Sequence, residues 1–595
     1  MAPGSEKAPC GGPRSRPSEL AVVAGLVPVS VRTVSHAETS IPGQRGWADE
    51  ERFVLAVDLG TSGLKVGLVS LTGVIAWHEH VPLTTQVDGD AATQDAARWW
   101  ELVRGSARRG LASGAVPPDR VAAVSVTGQW ASTVPVDEAG EPVGPCLLWM
   151  DTRGRPYSRE VIAGPVAGYA PAATISWTRR SGGAPSPSGA DPIGHIRYLQ
   201  AAEAASGSGS APGSTPGSAP RSAPGSERAP VARWFLEPVD YLSMCFTGTA
   251  AASHASMVGA WLTDNRHPGV LRYDPVLVGR SGVDPDRLPP LRGTGTVIGP
   301  VRPEVAHQLG LPEGVQVVTG TPDLHSAACG AGAVLDFQAH LAVSTSAWIG
   351  APVPFKKTDA FHQVASVPGL GPGRYLIADN HETGGACLDW VCGVVPGLVD
   401  AGGRPDFAGA LSLAAQARPG SSGVLFTPWL RGERSPVDDR HARAGFHNLS
   451  LTVGRADLVR AVLEGVAFNN RWLHEAVERF AKRRLDPLRM VGGGAQSDLW
   501  CQIHADVMDR TIERVDAPVL ANLRGAALIA GMALGAVRPS EVGSLVGVDA
   551  VFRPDPAHRA TYDHLFREFP KLYRAQRGTF ARLNRRPGAS GGRPR

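Results

Sequence analysis

Two distant stretches of this chain repeat one pattern of apolar and polar positions. In "LAVDLGTSGLKVGLV" (55–69) an apolar run meets a turn of Gly, Thr, Ser and Gly, and a second apolar run begins at Leu64. That order predicts a strand, a tight polar loop and a second strand. "LAVSTSAWIGAPV" (341–353) has the same order of strand, Ser/Thr turn and strand. A spacing of roughly 300 residues is too long for a solenoid repeat and implies two related domains facing one another. A third segment, "RADLVRAVLEGVAFNNRWLHEAVERF" (455–480), places Leu458, Val462, Val466, Leu473, Val477 and Phe480 at helical spacing. It predicts a long helix with one face in a core. Strands such as "VAAVSVTG" alternate with helices such as the one around Trp99, and that order implies α/β layers.

Three segments lack core-forming side chains and divide this pattern. They are the Pro/Gly/Ser-rich extension over residues 1–50, an insertion at about 203–230 that contains "ASGSGSAPGSTPGSAPRSAPGSE", and a basic tail over 581–595. A chain of 595 residues is too long for one ordinary core, so the folded remainder is read as two domains, 51–335 and 336–580. A net charge of +4 with 19% charged residues lacks the basic excess of a nucleic-acid binder, and no nucleic-acid partner is expected. No apolar run approaches the ~20 residues of a membrane span, so no membrane association is expected. "ELAVVAGLVPVSVRTVSHAE" has the outline of a secretion signal, but Glu19, Pro28 and Arg32 interrupt it. Seven cysteines stand singly, with Cys387 and Cys392 the closest pair and no zinc spacing. They read as reduced, buried thiols in a cytoplasmic protein.

Candidate chemistry gathers at the polar loops. Asp58 closes an apolar strand and is followed by Gly60, Thr61, Ser62 and Gly63, with Lys65 beyond. Such a turn aims backbone N–H groups and hydroxyls at phosphate oxygens, and the aspartate is a ligand for Mg²⁺. The competing reading is an ordinary hairpin whose small residues serve the turn alone. Ser344, Thr345 and Ser346 form the equivalent second loop, which favours the phosphate reading. "MVGGGAQSDLWCQIHADVM" (490–508) brings Gly492, Gly493 and Gly494 before Ser497, a helix cap. Bare glycine backbone of this kind forms a nucleotide platform, although the run matches neither the P-loop nor the dinucleotide fingerprint. In "GTPDLHSAACGAG" (320–332) Asp323 lies among small and apolar residues. It is either a reactive carboxylate with room around it or the cap of a helix starting near Ser326.

From about Phe53 to Gly535 these motifs, in this order, resemble the FGGY family of carbohydrate kinases, with a xylulokinase-like character. The likeness rests on "AVDLGTSGLKVGLV", "SVTGQWASTVPVDEAGEPVGPCLLWMDTR", "LEPVDYLSMCFTGTAAASHAS", "GTPDLHSAACGAG", "LFTPWLRGERSPVDDRHARAGFHNLSLTVGRADLVRAVLEGVAF" and "VGGGAQSDLW". The most specific part is the Gly-Glu-Arg-Ser-Pro run at 432–436 with the helix through Glu464. The resemblance implies the two-domain actin-like ATPase (ribonuclease H-like) α/β fold with its active site in the interdomain cleft. It implies ATP and Mg²⁺ as cofactors, a small sugar as substrate, and Asp323 as the base that accepts the sugar proton. Gln129, Trp130 and His325 fall on the sugar side, and a homodimer is compatible with the family.

Three departures bear on the acceptor and the nucleotide. Xylulokinases usually have Met-His where this chain has Trp130 and Ala131, and Leu324 follows the base where a polar amide is common. His325 is then either a replacement polar contact or a structural histidine. Ser344 stands where the second loop usually has glycine, and a positive φ there would weaken ATP binding. Asn448 stands where glycine is common, and asparagine tolerates left-handed geometry. The leading expectation is an ATP-dependent sugar kinase with a pentulose such as xylulose as first choice of acceptor and a sugar acid second. The alternatives are a non-catalytic regulatory relative and an actin-like ATPase with a protein client.

Overall fold

The computed structural model describes residues 50–166, 168–208, 231–267, 269–359, 361–371 and 373–584. The expectations for 1–49, 209–230 and 585–595 lie outside the described residues. Two expected boundaries move. The helix Pro192–Ser208 runs into the segment assigned to the insertion, and the last helix, Pro556–Leu583, runs into the segment assigned to the tail.

Two mixed sheets carry the fold, and their central strands repeat one arrangement. In the first sheet the order is Val297–Pro300, Gln316–Pro322, Val121–Gly128, Phe53–Leu59, Gly63–Ser70 and Ile75–Pro82. Phe53–Leu59 pairs antiparallel with Gly63–Ser70 and parallel with Val121–Gly128. In the eight-stranded second sheet Ala339–Val343 pairs antiparallel with Ala347–Val353 and parallel with Leu488–Val491. The two hairpins predicted from the sequence therefore occupy equivalent places in the two sheets.

The opening strand reads FVLAVDL and is buried throughout, as a strand covered on both faces must be. Its alternation assigns the faces. Phe53, Leu55, Val57 and Leu59 enter a core with Trp99 and Val103 of the helix Ala96–Ala112. Val54 and Ala56 enter another core with Leu523, Ala526 and Ala527 of the helix Ala521–Ala533. Asp58 continues that second face by the period of two. Its carboxylate is thereby turned toward a helix from the C-terminal half of the chain.

That helix crosses the short helix Asp323–Gly330 at backbone contact. A β-carbon on Gly525 would stand 1.9 Å from the Ser326 carbonyl oxygen, and one on Gly330 would stand 1.8 Å from that of Ala521. Only glycine permits this approach, so the crossing is set by the two glycines rather than by interdigitating side chains.

The predicted long helix is Arg455–Ala481. Its buried Glu464 accepts hydrogen bonds from Gly420 N (2.9 Å), Ser421 Oγ (2.7 Å), Arg460 Nε (2.7 Å) and the Tyr562 hydroxyl (2.8 Å). Glu433 of the Gly-Glu-Arg-Ser-Pro run is also buried, and it accepts from the Arg434 N–H at 2.8 Å. These two carboxylates serve as structural ties. Cys146, Cys245, Cys329, Cys387, Cys392 and Cys501 are free and buried, as expected. No helix among the described residues is long and apolar enough to cross a membrane.

Candidate active site

The carboxyl ends of neighbouring parallel strands bring Asp58 and Asp323 to one edge of the first sheet. Asp58 lies opposite Thr127, and Thr127 lies opposite Thr321, two residues before Asp323. Ligands of open α/β sheets bind at such strand ends. The central strand is tied to the base-bearing segment by Thr127, whose hydroxyl donates to the Thr321 carbonyl (2.9 Å) and meets Ser326 Oγ (2.7 Å).

Asp323 opens its helix rather than preceding it. The helix begins at Asp323 itself, with Pro322 at the cap position, and Asp323 Oδ1 accepts from the adjacent Leu324 N–H at 2.8 Å. The alternative of a cap on a helix starting near Ser326 gives way to a first-turn carboxylate. The residue is half-buried. Loss of hydration, and secondarily the charge of Asp58, push its carboxyl up to about 7.

Asp58 is buried, and its Oδ2 accepts from Lys65 Nζ at 2.9 Å. Cross-strand pairing explains the contact, because Asp58 and Lys65 are directly opposed in the hairpin. Asn522 Nδ2 reaches Asp58 Oδ1 at 3.4 Å from the C-terminal half. Gly60 N donates to the Gly63 carbonyl at 2.9 Å and closes the first loop. Thr61 Oγ1 donates to Gln129 Oε1 (3.2 Å) and accepts from Trp149 Nε1 (3.2 Å), so the loop and the sugar-side stretch share one network. Gly128 lets the chain pass close to Leu59, whose carbonyl oxygen would be 2.4 Å from an added β-carbon.

The second loop is braced from behind. Gly384 N donates to the Thr345 carbonyl (2.9 Å), and Gly385 N donates to that of Ser344 (2.6 Å). Ser346 Oγ accepts from Trp348 Nε1 at 3.0 Å. Among the described residues, those with positive φ do not include Ser344, Thr345 or Ser346. Ser344 therefore carries no left-handed strain, since this backbone accommodates any side chain. Asn448 does take φ +64°. Gly492 has φ +89°, and an added β-carbon would meet Ser344 Oγ at 2.6 Å, so the structure joins the second loop to the glycine run. Gly493 faces open space and Gly494 packs on Val343. Ser497 is the predicted cap, accepting from Trp500 N at 3.1 Å.

Trp130 and His325 have different fates. Trp130 is half-buried and donates from Nε1 to the Ser256 carbonyl at 2.7 Å, with Leu324, Val258 and Trp261 in the same apolar cluster. His325 makes a different contact. It is buried, bonds through Nε2 to the Pro368 carbonyl at 2.8 Å, and is pushed down to about 4 by burial. Residues two apart on a helix do not share a face, so Asp323 and His325 make different contacts. Among the site residues not singled out from sequence, Trp149 lies in the stretch "GPCLLWMDTR" of the sugar-side segment. Asn522 lies 464 positions from its partner and had no signal.

The donor set fits Mg²⁺. Asp58 offers a hard carboxylate oxygen, and the charge of Asp323 stands near it. Magnesium typically takes one or two carboxylates together with phosphate oxygens and water.

Two α/β domains with paired polar loops and carboxylates at the strand ends define the actin-like phosphotransferase class. The N-terminal domain model of the FGGY family of carbohydrate kinases matches residues 53–165 and 225–330, and its C-terminal domain model matches 344–534. The chain belongs to that family. The xylulose kinase of Staphylococcus epidermidis (strain ATCC 35984) is 26% identical over 535 residues, covering 88% of this chain and 97% of its own. Two solved structures share the fold at TM-score 0.75, both covering 90% of this chain and 100% of their own. They are the gluconate kinase of Lactobacillus acidophilus at 21% identity and the ligand-bound xylulose kinase of the same organism at 20%. Equal likeness to kinases named for a ketose and for a sugar acid shows that the fold does not choose the acceptor.

Proposed function

We propose that this protein transfers the γ-phosphoryl group of ATP to a hydroxyl of a pentulose, with Asp323 as the base and a sugar acid as the second acceptor class. The reading is carried by the half-buried Asp323 carboxyl, held at a strand end beside Asp58 and poised near neutrality. A carboxylate so placed accepts the hydroxyl proton as the oxygen attacks phosphorus. Backbone N–H groups and hydroxyls of Gly60, Thr61 and Ser62, with those of Ser344, Thr345 and Ser346, supply donors for the phosphates. Gly492, Gly493 and Gly494 leave bare backbone for the nucleoside, and Ser497 supports that turn as a helix cap. Asp58 is the carboxylate assigned to Mg²⁺, which neutralises phosphate charge when bound. Lys65 bonds Asp58 with one of its three ammonium N–H groups and keeps the others for phosphate oxygens.

Gln129 and Trp130 form the proposed sugar side, and His325 is held through Nε2 by the Pro368 carbonyl. The indole N–H of Trp130 is spent on Ser256, so the ring offers the sugar an apolar face. Ala131 sits at φ +59°, where histidine is among the more tolerated residues. The double variant Trp130→Met with Ala131→His is therefore expected to fold and to raise kcat/KM for D-xylulose relative to other acceptors by about tenfold, the worth of one or two polar contacts. An unchanged acceptor profile removes this pair from the pocket.

The testing experiment is ADP release with magnesium ATP across pentuloses, hexoses, polyols and sugar acids. Stimulation by a pentulose supports the reading. A flat panel with ATP still bound favours a regulatory role instead.

A further inference from the structure

Lys356 and Lys357 are consecutive residues that cap two helices from different halves of the chain. Lys356 Nζ donates to the carbonyls of Arg179 (2.8 Å) and Arg180 (3.4 Å), at the end of the helix Pro171–Ser181. Lys357 Nζ donates to the Phe480 carbonyl (2.9 Å), near the end of the long helix Arg455–Ala481. The last carbonyls of a helix lack internal partners and carry partial negative charge, so a cation is well placed at each end. Thr358 adds a bond from its hydroxyl to the Gly182 carbonyl (2.7 Å), and Tyr375 reaches the Asn265 carbonyl (3.4 Å). Asn265 in turn donates from its backbone N–H to the Arg180 carbonyl at 2.9 Å.

The capped helix leads to the sugar side of the site. Trp177 is buried in its centre and donates from Nε1 to the Trp261 carbonyl at 3.0 Å. Trp261 lies so close over Gly183 that an added β-carbon would be 2.2 Å from its ring. Trp261 belongs to the apolar cluster of Trp130, Val258 and Leu324, and Leu324 directly follows Asp323. Val367 and Leu376 complete that cluster from the second sheet, the same sheet that leads into Lys356. The helix Pro171–Ser181 lies between 165 and 225, outside the residues that the N-terminal family model matches. The contact is thus built partly from chain that the shared family pattern does not account for.

We infer that Lys356 and Thr358 clasp the helix Pro171–Ser181 across the two halves and thereby hold the Trp261–Trp130 wall against Asp323. Lys356 is a positioning residue for the acceptor, and the inference rests on the sugar-kinase reading above. The hydrogen bonds of Lys356 go to the helix Pro171–Ser181 and not to the nucleotide loops, so its loss acts on acceptor binding.

Steady-state ADP release by the full chain is measured with D-xylulose and D-gluconate as acceptors for wild type, K356M, K356R and T358V. The expected result is a roughly tenfold higher acceptor KM in K356M, with kcat within about twofold and the KM for ATP unchanged. K356R restores the wild-type value, because it keeps both charge and donors, and T358V shifts the acceptor KM in the same direction by less. An unchanged acceptor KM in K356M, or equal rises in both KM values with a lower Tm, overturns the inference and leaves a structural brace. Should K356M fail to fold, T358V decides alone on the same split. A wild-type protein with no sugar-stimulated release overturns the kinase reading and the clasp together, whereas an active wild type with an indifferent K356M overturns the clasp only.

Discussion

Asp323→Asn is expected to lower sugar-stimulated ADP release by about 10²–10⁴-fold, the range that a positioned general base supplies, while ATP affinity stays nearly unchanged. The amide keeps the shape of the side chain and the hydrogen bond from Leu324, but it cannot take a proton. Equal loss of ATP binding would mean that the carboxylate holds the nucleotide rather than the acceptor. The same substitution has a second, independent readout in stability. The folded carboxyl titrates near 7, above its ordinary unfolded value, because burial and Asp58 oppose its charge. A raised carboxyl binds its proton more tightly in the folded state, so its contribution is complete below the unfolded value and is lost as pH rises toward 7. In chelator, with no magnesium to offset the charge, Asp323→Asn is therefore expected to gain stability over wild type between about pH 4 and 7. The gain levels off above that range. Solvent screening of a half-exposed group reduces it to about 1–2 kcal/mol. Denaturant midpoints at a series of pH values measure it, and a difference independent of pH would deny the strained carboxylate.

Gly525→Val is expected to cost about 3 kcal/mol or more and to lower activity in whatever fraction stays folded. The new β-carbon would fall 1.9 Å from the Ser326 carbonyl, where neither backbone can yield without separating the two helices. One of those helices begins at Asp323, and the other carries Asn522 toward Asp58. Separation therefore displaces the base relative to the metal-side carboxylate, and catalysis falls steeply with sub-ångström misplacement. Urea unfolding together with kcat on the soluble fraction tests this, and a variant matching wild type in both would show that the helices do not cross at this distance.

Much of this was legible in residue patterns because the signals are local. Apolar runs broken by Gly, Thr and Ser specify the two hairpins. The spacing of Leu458, Val462, Val466, Leu473, Val477 and Phe480 specifies the long helix, and Ser497 before an apolar periodic run specifies a cap. The start of the helix at Asp323 was less legible, because Pro322 and Asp323 suit either the last residues of a strand or the first turn of a helix. The boundaries near 203 and 581 moved because Ala- and Arg-containing segments with few large apolar residues extend a helix already anchored upstream.

By itself the sequence determined the α/β class, the duplicated hairpins, the glycine run and the presence of an aspartate in a crowd of small residues, since each depends on near neighbours in the chain. Side-chain direction and partnership were decided only by the tertiary structure. His325 was drawn to Pro368, Lys65 was paired with Asp58, and Ser344 took an ordinary backbone conformation without left-handed strain. Asn522 reached Asp58, and Lys356 reached the end of a helix more than a hundred residues earlier in the chain. The physical reason is common to all of these. A hydrogen bond or a packing contact depends on which groups the fold brings within a few ångströms, and separation along the chain carries no information about that.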